Sequence, residues 1–116
     1  MNENIKQKWI SNLTSGNYQK AKYGLRYQKV DGTCSFCALG VLVDMYINTH
    51  DNCHWSNVGP VINGVQHSNG ILPAPVAKWS KCKSGGGYLT IFGSIPEDND
   101  RGMSFKDIAN KIDKYL

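Results

Sequence analysis

The stretch that most constrains the fold is Cys37-Ala38-Leu39-Gly40-Val41-Leu42-Val43-Asp44-Met45-Tyr46-Ile47, the longest apolar run in the chain. A membrane-spanning helix needs ~20 apolar residues, and this run is about half that length. A helix with no polar face is normally enclosed by the rest of its domain. Leu39, Leu42, Met45 and Ala38 suit a helix, and Asp44 would be awkward in a strand covered on both faces. The run therefore predicts a central buried helix at about 37–48, with the other elements packed around it. Gly40 within such a helix costs ~1 kcal/mol relative to Ala, so its presence predicts a close approach by another element.

A chain of 116 residues fits a single globular domain, 1–116, with one core. Hydrophobic residues at 41% and charged residues at 19% exclude a disordered chain. The formal charge of +4 favours anionic partners. No basic run marks a tail for long nucleic acid. The opening Met1-Asn2-Glu3-Asn4 lacks the basic lead and apolar stretch of a signal peptide, which predicts a cytoplasmic protein with no membrane partner. In a reducing compartment Cys34, Cys37, Cys53 and Cys82 are expected as free thiols.

Around the central run the expected elements are short. Ile5, Trp9, Ile10 and Leu13 recur at helical spacing, which predicts a helix at 4–14 capped by Asn2 or Asn4 and closed by Gly16, with Lys6 on its solvent face. Tyr18 to Lys29 reads as a half-buried strand, Asp31-Gly32 as a turn, and Thr33 to Phe36 as the return strand. From Asn48 to Gly70 the composition is irregular, apart from a small hairpin at Val61-Ile62-Asn63-Gly64-Val65. Leu72 to Trp79 suggests a short helix with proline near its start. Ser84 to Gly87 reads as a glycine-rich loop, and Tyr88 to Phe92 as a strand. The cluster Asp98-Asn99-Asp100 reads as a turn ahead of a C-terminal helix. Ser104 would cap that helix, Asp107 would answer it, and Met103 with Ile108 would form a hydrophobic staple. Phe105, Ile108, Ala109 and Ile112 would line its buried face. The expected class is α+β, a small mostly antiparallel sheet packed with three to four helices.

Several constellations could carry chemistry. Cys34 and Cys37 form a C-x-x-C pair, and Cys53, His54, His50, His67 or Cys82 could complete a tetrahedral zinc site. The second half lacks the paired spacing of such sites, and small buried cysteines pack as hydrophobes, so no metal or other cofactor is assigned. Cys53-His54 places a nucleophile and a base side by side, but sequence neighbours seldom face each other. Lys81-Cys82-Lys83-Ser84 and the following glycines could cradle an anion with backbone amides. Lys20, Lys22 and Arg26 recur at period two, which on one strand would put them on one face with Tyr18. Such a face suits a phosphate bearing a stackable base. The plain alternative is a lysine-rich edge strand that resists aggregation. The candidate ligand-binding set is Tyr18, Lys20, Lys22, Arg26, Trp55, Lys83 and Ser84, with no catalytic set beside it.

Four segments resemble a family of small bacteriophage and prophage proteins, mostly without assigned function. They are Trp9 with Ser15 to Tyr18, Lys22 and Leu25-Arg26; Phe36 to Asp44; Leu72-Pro73 with Val76 and Trp79; and Asn99-Asp100 with Gly102, Ser104-Phe105, Ile108-Ala109 and Ile112. That family commonly reads Phe-Cys-Cys-Leu-Gly-Val-Leu-Cys-Asp at the second segment, where this chain has Ala38 and Val43. The departures make thiol chemistry at those two positions unnecessary. The resemblance implies a phage origin and a bacterial host cytoplasm. Joined to the basic face, it suggests a non-enzymatic protein that counters host defence by sequestering a small anionic signal, such as a cyclic nucleotide or an ADP-ribose derivative. The competing readings are a protein-binding inhibitor with an apolar patch at Trp55 or Trp79, and a small hydrolase. A homo-oligomer is compatible with each.

Overall fold

The computed structural model describes residues 1–82 and 95–116. The expected loop at Ser84 to Gly87 and strand at Tyr88 to Phe92 lie outside them, as do the site candidates Lys83 and Ser84. The first helix, α1 (Glu3–Thr14), starts where Asn2 Oδ1 accepts from Ile5 N at 3.0 Å. Trp9 and Leu13 are buried, and Trp9 Nε1 donates to Ala38 O at 2.9 Å. Lys6, expected to face solvent, is also buried. Its ammonium donates to Asp113 O at 3.1 Å, and Glu3 stands 4.0 Å away. The Lys6 stem covers apolar surface while its head finds the carbonyl of another helix.

Strands β1 (Gln19–Lys20), β2 (Arg26–Gln28) and β3 (Cys34–Phe36) form a sheet in the order β1-β3-β2. β2 pairs antiparallel with β3, as the turn at Asp31-Gly32 predicts, and β1 runs parallel to β3. The single strand expected from Tyr18 to Lys29 is therefore two strands. Tyr23 at φ 60° and Gly24 at φ 122° turn the chain between them, which ends the period-two relation of Lys20, Lys22 and Arg26.

The central helix, α2 (Ala38–Thr49), is enclosed along most of its length, with residues 38–43, Met45 and Tyr46 all buried. Cys37 caps it through Sγ, which accepts from Gly40 N at 3.3 Å. Gly40 lies under the Leu25 backbone, where any Cβ would collide with Leu25 O and C. The Leu25 carbonyl also accepts from Cys37 N at 3.2 Å, so the link between β1 and β2 lies directly on the start of the helix.

Of residues 48–70, expected to be irregular outside one small hairpin, Asn48 and Thr49 end α2, and the stretch from Cys53 to Gln66 folds as a three-stranded antiparallel meander: β4 (Cys53–Ser56), β5 (Gly59–Ile62) and β6 (Val65–Gln66). Asn63 and Gly64, at φ 52° and 80°, make the expected type I′ turn. Pro60 sits in the middle strand, opposite Trp55. A proline there argues against a central strand in sequence terms, and the short length of β6 is what tolerates it.

Three helices complete the fold: α3 (Ala74–Ser80), α4 (Ile95–Asp100) and α5 (Phe105–Tyr115). The expected turn at Asp98-Asn99-Asp100 is the last part of α4, and Asn99 is fully buried. In α5, Ile108, Ala109 and Ile112 are buried, and Ser104 Oγ accepts from Asp107 N at 3.1 Å. Ser104→Ala is expected to cost ~1 kcal/mol, the usual worth of an N-cap. Urea denaturation would show it, and an unchanged midpoint would contradict the cap. The class is α+β, with five helices and two three-stranded sheets among the described residues.

Candidate functional site

Asp44 is the polar exception in the central run, and the site is built on it. Its Oδ2 accepts from Tyr18 Oη at 2.6 Å and from Asn48 Nδ2 at 3.2 Å, while Oδ1 accepts from Trp55 Nε1 at 2.9 Å. One carboxylate thus ties β1's approach, the helix and the second sheet together. Burial, followed by the hydrogen bond to Asp44 and its charge, pushes the Tyr18 phenol well above its usual range, so the phenol stays a donor. The rings stack edgewise in sequence: Tyr18 to Phe36 at 5.2 Å, and Phe36 to Trp55 at 6.0 Å. This gives Trp55 a fixed orientation with both ends anchored.

Arg26 lies on that Trp55. Its Cζ is 5.1 Å from the indole centroid, within cation–π range. Nη1 donates to Cys34 Sγ at 3.5 Å, and Nη2 makes a long contact to Ser56 O at 3.4 Å. A guanidinium has five donors, so most of its capacity is open to a ligand. The backbone is held as firmly: Asn69 Oδ1 accepts from Arg26 N at 3.1 Å, and Asn69 Nδ2 donates to Arg26 O at 2.9 Å. One side chain stands in for a neighbouring strand. Between the two sheets opens a cleft of about 350 Å³, lined by Arg26, Tyr27, Gln28, Ser56, Asn57, Gly59 and Asn69. Tyr27 is 61% exposed at its edge.

Three residues of the expected set, Tyr18, Arg26 and Trp55, are therefore joined through direct contacts and Asp44. Lys20 sits in register with Phe36, as Arg26 does from the other side. However, its ammonium turns to Asn99 O at 2.9 Å. Burial, then the charge of Lys22, lowers the Lys20 pKa. Lys22 follows the end of β1 and is exposed, its ammonium 4.0 Å from where a Cβ on Gly102 would be. Neither lysine lines the cleft.

Among the described residues, the cysteines and the acidic cluster have the following surroundings. Cys37 is a helix cap, and burial pushes its thiol up to about 11. Burial raises the Cys82 thiol as well. Cys53 and His54 are neighbours on β4, so their side chains leave opposite faces of the strand. Among the described residues, no three His, Cys, Asp or Glu side chains converge as metal ligands would. Asp98 pairs with Lys111 and, at 3.7 Å, with Arg101, and Asp100 Oδ1 accepts from Tyr23 N at 2.8 Å. Sequence reasoning singled out neither Asp44 nor Asn69 as a site residue. For Asp44 the signal was present: a carboxylate in an otherwise apolar buried run needs partners. Asn69 carried none, because its role is set by a strand 43 positions earlier.

These features define a small α+β domain with a cationic, aromatic-backed cleft between two short sheets. The model of a domain of unknown function, DUF8296, matches residues 1–116, and the chain belongs to that family. No curated protein and no solved structure matches the chain. Among the described residues no helix is long and apolar enough to cross a membrane.

Proposed function

We propose that this chain is a non-enzymatic, phage-derived binding protein acting in the bacterial host cytoplasm, where it sequesters a small anionic signal of nucleotide type. The observation that carries the reading is Arg26, held on Trp55 at the cleft with donors to spare. A guanidinium fork matches phosphate oxygens in pairs. Exposed Tyr27 offers a ring for stacking, and Asn57 and Gln28 offer amides for the edge of a base. The phage origin rests on the resemblance of the four segments above. A non-catalytic role is supported by Asp44, whose two oxygens accept three hydrogen bonds from within the chain, and by the burial of the Cys37 and Cys82 thiols, of which Cys37 caps α2. In this reading Arg26 and Tyr27 meet the ligand, while Trp55 and Tyr18 position Arg26.

The protein-binding inhibitor is the second reading. Val58, 66% exposed, stands between two cleft residues, with Tyr27 beside the same opening, and such a rim could take a host protein surface.

Calorimetry against cyclic dinucleotides, cyclic trinucleotides and ADP-ribose derivatives separates the two. Each charge-assisted hydrogen bond to phosphate contributes ~1.5–3 kcal/mol. Arg26→Glu is therefore expected to weaken binding more than about tenfold, since ~1.4 kcal/mol is a decade. Lys106→Glu, at an exposed position of α5, is the control. Ligand recovered intact supports sequestration, and processed ligand would make the protein an enzyme. No heat with any member would give the lead to the inhibitor.

A further inference from the structure

A second, larger cleft of about 640 Å³ opens between α1, the end of α2 and α3, and its chemistry differs from that of the first. From α1 it takes Asn4, Lys8, Ser11 and Asn12, whose spacing puts them on one helical face. That face is turned away from the side carrying buried Trp9 and Leu13. From α2 it takes Met45, Asn48 and Thr49, one turn apart. Ile5, Met45 and Trp79 give it apolar surface, and three asparagine amides give it a neutral polar rim. None of the described residues lining it is a carboxylate.

One wall is rigid before any ligand arrives. His50 stacks on Tyr46 with centroids 3.8 Å apart and planes 12° apart. Trp79 meets both rings nearly at right angles, at 5.3 and 5.5 Å. His50 Nδ1 lies 2.8 Å from Tyr46 O. A carbonyl can only accept, so Nδ1 carries the proton, and in the neutral ring Nε2 is an acceptor. Among the described contacts Nε2 has no partner. A preorganised wall of this kind spares the ordering cost of binding.

The lining selects a ligand class. An apolar ligand would strand the amides away from water. A polyphosphate would find one cation, Lys8, on an exposed helix face. A ring with C–H faces and a rim of hydroxyls satisfies both surfaces. Each hydroxyl donates and accepts, as each amide does, while the C–H face covers Ile5, Met45 and Trp79. We propose that this cleft is a carbohydrate site, taking an uncharged pyranose ring or the end of a short glycan. The assignment goes beyond the anion reading and does not depend on it, because the first cleft shares none of these residues. Tyr18 connects the two: it lines this cleft, and its hydroxyl is bound to the Asp44 that holds Trp55.

The test is saturation-transfer NMR on the full chain with glucose, N-acetylglucosamine and maltose, and adenosine as the comparison. Transfer to at least one sugar is expected. Ser11→Trp, a substitution at an exposed position that fills the cleft, should weaken it about tenfold or more, or abolish it. Circular dichroism verifies that this variant is folded. Lys106→Ala, at an exposed position of α5 away from the cleft, and Arg26→Ala should leave sugar binding unchanged. Absence of transfer to every sugar overturns the proposal, and so does a folded Ser11→Trp protein that binds as the wild type does. Transfer to adenosine alone would show a nucleoside site and overturns the carbohydrate assignment. Loss in Arg26→Ala would place the sugar in the first cleft, with the same consequence.

Discussion

Gly40→Ala is expected to destabilise the protein by ~3 kcal/mol or more, at the upper end of the usual range for overpacking. The sign is what makes the result informative. On helix propensity alone, alanine in place of glycine gains ~1 kcal/mol. Here the added carbon would meet Leu25 O and the atoms bonded to it. These are backbone atoms, so no rotamer change can clear the space. The Leu25 segment is itself fixed, because Leu25 N donates to Asn69 O at 2.7 Å and its side chain is buried. Either the helix must move away from the first sheet or the link between β1 and β2 must rearrange. Gly40→Leu is expected to abolish soluble expression altogether. Thermal denaturation of the alanine variant decides the matter, and an unchanged or raised midpoint would mean that the contact is loose.

Gly40 also shows why the fold was largely legible in the sequence. A glycine inside an apolar helical run has few explanations other than close approach, and the run's length and lack of a polar face identify a buried helix. Cap and turn signals at Asn2, Asn63-Gly64 and Ser104 act within a few residues of themselves, and these elements form where the sequence places them. The failures share a different physics. Pro60 lies in a middle strand because β6 pairs only with Val61 and Ile62, and Lys6 lies buried because the Asp113 carbonyl takes its ammonium. Period two along Lys20, Lys22 and Arg26 assumes one uninterrupted strand, and Tyr23 adopting positive φ breaks it with no strong sequence signal. The cleft itself was legible only in its parts. Arg26 and Trp55 are distant in sequence, and their contact depends on how two separate sheets meet.

The sharpest case of a role set by distant partners is Asn99, and its loss is expected to be as damaging as a core truncation. Its side chain is fully buried. Oδ1 accepts from Ala38 N at 3.2 Å, in the first turn of α2, where backbone donors lack helical partners. Nδ2 donates to Ala21 O at 2.7 Å, just past β1. Its own carbonyl accepts from Lys20 Nζ at 2.9 Å and from Gly102 N at 3.1 Å. One residue therefore ties α4 to the central helix and to the first sheet. Asn99→Ala would leave one buried donor and one acceptor unpaired, each at a cost of ~1–3 kcal/mol, and would open a small cavity. A loss of ~3–5 kcal/mol follows, a large share of the ~5–15 kcal/mol that holds a typical domain folded. Asn99→Asp separates the two bonds. It keeps an acceptor for Ala38 N and gains from the helix N-terminus, but it loses the donor to Ala21 O. A carboxylate buried against the Ala21 carbonyl also carries desolvation and repulsion costs, so its stability should fall below wild type as well. Urea titrations of the three proteins test the order. If Asn99→Ala melted within ~0.5 kcal/mol of wild type, as surface substitutions do, Asn99 would not be the tie between these elements.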